Sequence, residues 1–199
     1  MYLVIDIEAT CWEKKIDADK QSEIIEIGCC IVQKRNGLMR LDEKFGWFVC
    51  PVLHPTLSVF CKKLTSIKQS DIDSADMFPT VIEKLREKVF RETKLELNKI
   101  PFFSWGDYDR KQFYKDCLLH DIKYPFGPHV NIKQKFADAR REKGISLLKA
   151  LGKLGKPFEG IQHRGEDDAY NIAKIVVAQF GYNWESILPK GIQKYDIRL

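Results

Sequence analysis

Two acids, Asp6 and Glu8, stand in the otherwise apolar run Leu3-Val4-Ile5-Asp6-Ile7-Glu8. A short, β-branched run of this kind reads as a buried strand. Residues two apart on a strand share a face, so the two carboxylates project together. Paired carboxylates in a half-buried place repel each other and lose hydration, so they need a compensating charge. The strand contains no Lys or Arg. Mg2+, a hard cation that prefers oxygen ligands, suits such a pair. The plainer alternative is two acids at a strand end facing solvent, and more residues are needed to choose.

Two further places supply them. Asp107 follows the strand-like segment Pro101-Phe102-Phe103-Ser104-Trp105 and Gly106, at the carboxyl end of a strand, where α/β proteins place ligands. Asp109 lies there too, and capping of the helix that follows is a rival role for Asp107. The third cluster is His163-Arg164-Gly165-Glu166-Asp167-Asp168. In the helix after it the apolar face runs through Ala169, Ile172, Ala173, Val176 and Phe180. At about 100° per residue Asp168 falls at the edge of that stripe, whereas Asp167 falls nearly opposite and is expected to face water. His163 precedes the helix in a loop. A histidine beside clustered acids is a candidate general base, because its proton exchange lies nearest neutral pH.

These residues need a scaffold. Residues 3–8, 23–32 and 45–50 read as strands, the last stopped by Pro51, with a turn at Asn36-Gly37 before it. Residues 12–22 read as a hairpin-like connection, so the three strands form an antiparallel meander. Residues 57–60 and 65–69 read as short helical turns, and 80–92, 108–120, 131–143, 146–154 and 165–181 as helices, with a strand over 100–105. Strands first, then strands alternating with helices, indicate an α/β fold with a mixed sheet covered by helices.

The bulk properties agree. The 199 residues are 44% hydrophobic and 31% charged, which suits one soluble globular domain. No apolar run approaches the ~20 residues that span a bilayer, so no membrane partner is expected. The opening segment has no basic leader and does not read as a signal peptide, which fits a cytoplasmic protein. The six cysteines, at 11, 29, 30, 50, 61 and 117, show no zinc-type spacing and are expected to be reduced and mostly buried. Residues 133–164 hold nine Lys/Arg and three Asp/Glu, a local charge of +6 within a chain of +5. A basic third beside acid-bearing remainder fits an anionic polymer, with a solvated helical face as the plainer reading.

The phrases VIDIEATC, SWGDYD and HRGEDDAYNIA, together with EIIEIG, LSVFCKKLTSI and the surroundings of Phe78-Pro79, resemble the DEDDh branch of the DnaQ-like 3′–5′ exonucleases. Within it they resemble the Eri and histone-mRNA 3′ exonuclease subgroup and its bacterial KapD-type relative. The likeness covers roughly residues 1–180, which it implies to be an exonuclease domain. Residues 181–199 are expected to be a C-terminal extension packed on the same domain. The resemblance implies an RNase H-like fold, a five-stranded mixed sheet flanked by helices. It implies that Asp6, Glu8, Asp107 and Asp168 are the four acids that hold two Mg2+ or Mn2+ ions. It makes His163 the base that deprotonates the attacking water. Nucleoside 5′-monophosphates would leave from single-stranded nucleic acid 3′ ends, RNA favoured over DNA. Phe60 and Trp105 would sandwich the terminal base, the backbone amides of Ala9 and Thr10 would meet the 3′ hydroxyl, and Arg164 and the basic 133–156 region would bind phosphates. A non-catalytic nucleic-acid-binding or regulatory protein that kept the fold is the alternative.

Overall fold

The computed structural model describes residues 1–13 and 20–189. The strands are β1 (Tyr2–Ala9), β2 (Ile24–Arg35), β3 (Leu38–Leu41), β4 (Phe45–Phe48), β5 (Phe102–Ser104) and β6 (His129–Asn131). The helices are α1 (Val59–Thr65), α2 (Gln69–Asp73), α3 (Phe78–Thr93), α4 (Tyr108–Leu119), α5 (Ile132–Arg140), α6 (Leu147–Lys153) and α7 (Gly165–Phe180). The expected meander is present: β1 pairs antiparallel with β2, and β2 with both β3 and β4. Parallel pairing then adds β5 to the other edge of β1, and β6 to β5.

The sheet has six strands where five were expected, but five lateral positions. β4 pairs with residues 26–29 of β2 and β3 with residues 32–35, so the two lie end to end along one edge. The Asn36-Gly37 turn, with both residues at positive φ, leads into β3 rather than directly into the 45–50 strand. The short helices sit later than expected, at 59–65 and 69–73 instead of 57–60 and 65–69. Of the expected 12–22 connection, residues 14–19 lie outside the described residues, as do 190–199 of the expected C-terminal extension.

β1 divides the core. Leu3, Ile5 and Ile7 face one layer, where α3 contributes Val81, Ile82, Leu85 and Val89 and α4 contributes Phe113 and Cys117. Tyr2 and Val4 face the other, with Ala169, Ile172, Ala173 and Val176 of α7. A 3-10 turn over Gly181–Ile187 closes this second layer. Its Trp184 ring lies 5.0 Å from Tyr2 and 6.2 Å from Phe103. Continuing the alternation, Asp6 and Glu8 fall on the α7 face.

α7 meets the sheet unusually closely at its first turn. A Cβ on Gly28 of β2 would fall 1.8 Å from the carbonyl carbon of Gly165, and one on Gly165 would fall 2.9 Å from the Asp6 carbonyl oxygen. Gly46 repeats the device, since its Cβ would fall 2.4 Å from the Ile27 carbonyl oxygen and 2.9 Å from the Glu166 side chain. Backbone therefore touches backbone where the two acid-bearing segments converge.

Gly28→Ala tests this contact. A methyl group there meets backbone, which no rotamer change relieves, and the helix end must lift. Overpacking of this kind costs about 3 kcal/mol, so thermal melting should show a Tm about 6–12 °C lower. An unchanged Tm would mean that α7 does not press on β2.

Candidate active site

The carboxyl end of β1, the start of α4 and the start of α7 enclose a cleft of about 440 Å³ lined by Asp6, Glu8, Asp109, His163 and Asp168 among others. Glu8 and Asp168 are buried, at 9% and 8% exposure. Ligand atoms of Glu8, His163 and Asp168 lie within 4.8 Å of one another, close enough to share a cation. His163 is exposed and adopts φ +60°, left-handed for a non-glycine residue. Its backbone N–H donates to Asp168 Oδ2 at 2.8 Å, so the base candidate and the acid candidate are tied through the loop that carries them.

Asp107, expected as the fourth acid, is not among the residues that line the cleft. Asp107 stands at the cap position of α4 but makes no side-chain capping bond. Its side chain is 46% exposed and lies 3.5 Å from Arg110 and 3.6 Å from His129. Asp109 enters the cleft instead, buried at 5% exposure, with Oδ1 accepting the Ile7 N–H at 3.1 Å. The physical reason is helix phase. α4 buries Asp109, Gln112, Phe113, Asp116 and Cys117, the i, i+3, i+4, i+7, i+8 stripe of one helical face. Asp107 precedes that face. Tyr108, 54% exposed, also lines the cleft and was not anticipated. The Phe113 and Cys117 stripe was the signal that selects Asp109.

Other expectations divide. Asp168 reaches the cleft as helical phase required. Asp167 does not face water: at 8% exposure it accepts the Ile161 N–H at 2.7 Å and a bond from Lys44. The 159–164 loop and the β3–β4 connection fold over what would have been the outer side of the helix. Arg164, expected to bind phosphate, is paired within the protein. Its guanidinium binds Glu26 of β2, Nη2 to Oε1 at 3.0 Å and Nε to both oxygens at 3.3 Å. Thr10 offers no free amide, because its N–H donates to the Glu23 carbonyl at 2.8 Å while its hydroxyl accepts from the Glu23 N–H at 2.9 Å. Ala9 is buried, with its carbonyl accepting from the Cys61 thiol at 3.7 Å. Trp105 lines the cleft, its ring 6.1 Å from Phe136 and its indole N–H buried without a protein partner. Phe60, 39% exposed, lines a separate depression with Val59, Lys63 and Leu64. The six cysteines are all free, four of them buried.

Electrostatics define what the cleft can do. Burial raises the Asp6 carboxyl well above its usual range, and Asp109, Asp168, Glu8 and Glu26 raise it further. Burial, then Asp168 and Glu26, pushes Glu8 up to about 8. Burial pushes Asp109 and Asp168 up to about 6 each, against hydrogen bonds that pull down. The charged groups that act most strongly on Asp6 are acids. Carboxylates crowded without a cation hold protons that a divalent ion would displace, so the donor set fits Mg2+ or Mn2+.

The comparisons with known proteins agree with this geometry. A family model described as Exonuclease matches residues 3–176. The chain is 30% identical over 211 residues to the 3′-5′ exonuclease eri1 of Schizosaccharomyces pombe, covering 92% of this chain and 69% of that protein. It is 32% identical over 181 residues to the 3′-5′ exoribonuclease 1 of Rattus norvegicus, covering 87% of this chain and 51% of that protein. The chain thus spans about half the length of the rat relative. Among solved structures, the nuclease domain of 3′hExo, described as a DEDDh family member bound to rAMP, superposes with a TM-score of 0.76 at 30% identity, covering 88% of this chain and 89% of that one. With the RNase H-like sheet in place and the match running from the first strand to the last helix, the chain belongs to the exonuclease family.

Proposed function

We propose that this chain is a 3′–5′ exonuclease that removes nucleoside 5′-monophosphates from single-stranded RNA ends, with DNA as a poorer substrate. The observation that carries the reading is the convergence of Asp6, Glu8, Asp109 and Asp168, all with raised proton affinity, beside His163 in one open cleft. The relatives named above are an exonuclease and an exoribonuclease, which supports the 3′–5′ direction and RNA over DNA.

Asp6, Glu8, Asp109 and Asp168 would hold two Mg2+ or Mn2+ ions, with Asp109 in the place first assigned to Asp107. When bound, such ions supply a strong nucleophile from water and neutralise charge on the phosphate and leaving oxygen. The chain's own residues do the rest. His163 Nδ1 or Nε2 takes the proton of the attacking water, and the Asp168 carboxylate fixes His163 through its backbone N–H. Ile7 fixes Asp109 in the same way from β1. Tyr108 and Trp105 give the cleft aromatic surface against which a terminal base can stack. Phe60, on α1, lines the separate depression with Val59, Lys63 and Leu64 and is not among the residues that line this cleft. Ser146, Leu147 and Leu148 line the cleft at the start of α6, and the exposed Arg141, Lys143 and Lys149 flank them in the chain. These cations are placed to bind backbone phosphates, which makes binding weaken with salt. Residues 1–180 form the exonuclease unit on this reading, with the segment from 181 onward its extension. Free cysteines suit a reducing compartment, which we take to be the cytoplasm. Among the described residues no helix is long and apolar enough to cross a membrane.

The primary test uses 5′-labelled single-stranded RNA and DNA with Mn2+, and with EDTA as control. A ladder shortening from the 3′ end, faster on RNA and absent in EDTA, is expected. Undiminished cleavage in EDTA would defeat the reading, and RNA binding without any cleavage would favour a non-catalytic binder. Asp109→Asn should lower turnover by more than about 100-fold, beyond what loss of a ligand's supporting partner produces. Asp107→Asn should stay within a few-fold of the parent, and the reverse order would restore Asp107 to the centre.

The raised carboxyls also make a stability prediction. Acids with folded pKa values of about 6 to 8 and unfolded values near ~4 bind more protons folded than unfolded. Stability of the metal-free protein therefore falls as pH rises from about 4 to about 8. Mg2+ displaces those protons, so it should raise Tm more at pH 8 than at pH 5.5. An equal or smaller shift at pH 8 would show that the ion binds elsewhere.

A further inference from the structure

Glu26 stands directly across from Glu8 in the β1–β2 register and is 2% exposed. A third buried acid beside a cation-binding pair would ordinarily be another ligand. Its oxygens are already engaged. Oε2 accepts the Gly165 N–H at 2.9 Å, the first helical amide of α7. Both oxygens accept from Arg164, whose guanidinium lies over the Phe48 ring with its carbon 5.2 Å from the centroid. Arg164 itself supplies no side-chain cap to α7. The helix is capped from the sheet, by a carboxylate 139 residues away in sequence.

Arg164 is also the residue next to His163, whose N–H binds Asp168 at 2.8 Å. A guanidinium is a rigid, permanently charged fork that matches carboxylates in pairs. Released from Glu26, it would turn to other acids: Glu166 and Asp167 already act on it, and Glu8, a lining residue of the acid cleft, stands directly across from Glu26 on the neighbouring strand. It would then compete with the cation. A buried ion pair broken on one side leaves the other charge seeking a partner.

We infer that Glu26 is a positioning residue with two tasks: it pins the first turn of α7, and Asp168 with it, against β1, and it keeps the Arg164 guanidinium out of the acid cleft so that a divalent cation can enter. The inference rests on the nuclease reading above. It separates Glu26 from the ligands, although the two lie side by side, and it gives Arg164 a role in keeping the site open rather than in binding phosphate.

Mn2+ binding, read as loss of the free-ion electron paramagnetic resonance signal, tests it without any turnover. Glu26→Gln keeps the shape and the bond to Gly165 but frees Arg164, and should weaken Mn2+ by about 10- to 100-fold, the range for loss of a supporting partner. Adding Arg164→Gln removes the competitor, and the double variant should return to within about threefold of the parent, the non-additive result expected of coupled residues. In nuclease assays the Glu26→Gln defect should shrink as Mn2+ is raised. A purely structural role predicts a double variant as weak as Glu26→Gln or weaker, and that result overturns the inference. So does parent-like Mn2+ affinity in Glu26→Gln. Should Glu26→Gln fail to fold, the double variant decides alone: parent-like affinity supports the inference and a tenfold loss overturns it. Parent protein that cuts RNA while the variants show no such pattern defeats the inference only. Parent protein that binds no Mn2+ defeats the nuclease reading and the inference with it.

Discussion

A helix end pressed onto a sheet with no side chain between them is the constraint on which the site depends. Gly28 and Gly165 meet where β2 passes under α7, and Gly46 admits Glu166 alongside. Glycine in a strand or at a helix start carries an entropic cost of about 1 kcal/mol. That cost is offset because backbone contact brings Asp168 to the strand that carries Asp6 and Glu8. Glu26 completes the joint by taking the first N–H of the helix, a donor that otherwise has no intrahelical acceptor. Three chain segments far apart in sequence are thereby held to a tolerance set by backbone rather than by side-chain rotamers.

The same joint governs the electrostatics. The N-terminal end of a helix carries partial positive charge, and α7 places Glu166, Asp167 and Asp168 in its first turn. The three acids separate by direction. Asp168 turns into the cleft, Asp167 binds the Ile161 amide and Lys44, and Glu166 lies over Gly46. Burial still leaves the cleft acids with raised proton affinity. Stability comes from elsewhere along the same strand. Tyr2 to Ile5 lie between two apolar layers, while the charge is confined to the end of β1. The division lets one strand serve as core at its start and carry the cleft acids at its end.

Much of this was legible in sequence because its signals are periodic. The two-residue alternation placed Asp6 and Glu8 together, and the 3.6-residue period selected Asp168. The meander followed from three β-rich runs with turn residues between them. The same helical argument applied to Phe113 and Cys117 puts Asp109, not Asp107, on the buried face of α4, a placement that phase carries and position along the motif does not. What stayed hidden depends on contacts between distant segments. Nothing in the 159–164 loop announces that it covers Asp167. Nothing local to Arg164 reveals that Glu26 claims it, and the Thr10 amide is taken by the carbonyl of Glu23, thirteen residues on. β3 and β6, at four and three residues, are held by pairing with β2 and β5, which local propensity does not register.

The acid floor has a consequence for how substrate and ion meet. A phosphodiester brings negative charge to a cleft whose own carboxylates already repel one another. Without a cation the two charges oppose, and the phosphate is excluded. With the cation bound, each side gains a shared counter-charge. On the proposed nuclease function, ion binding and phosphate binding are therefore coupled, and by linkage each must strengthen the other by the same factor. Arg164 held on Glu26 preserves that coupling, because a permanent cation among the acids would satisfy them whether or not substrate was present. The exclusion of a protein cation thus makes the occupied state of the cleft conditional on both partners arriving.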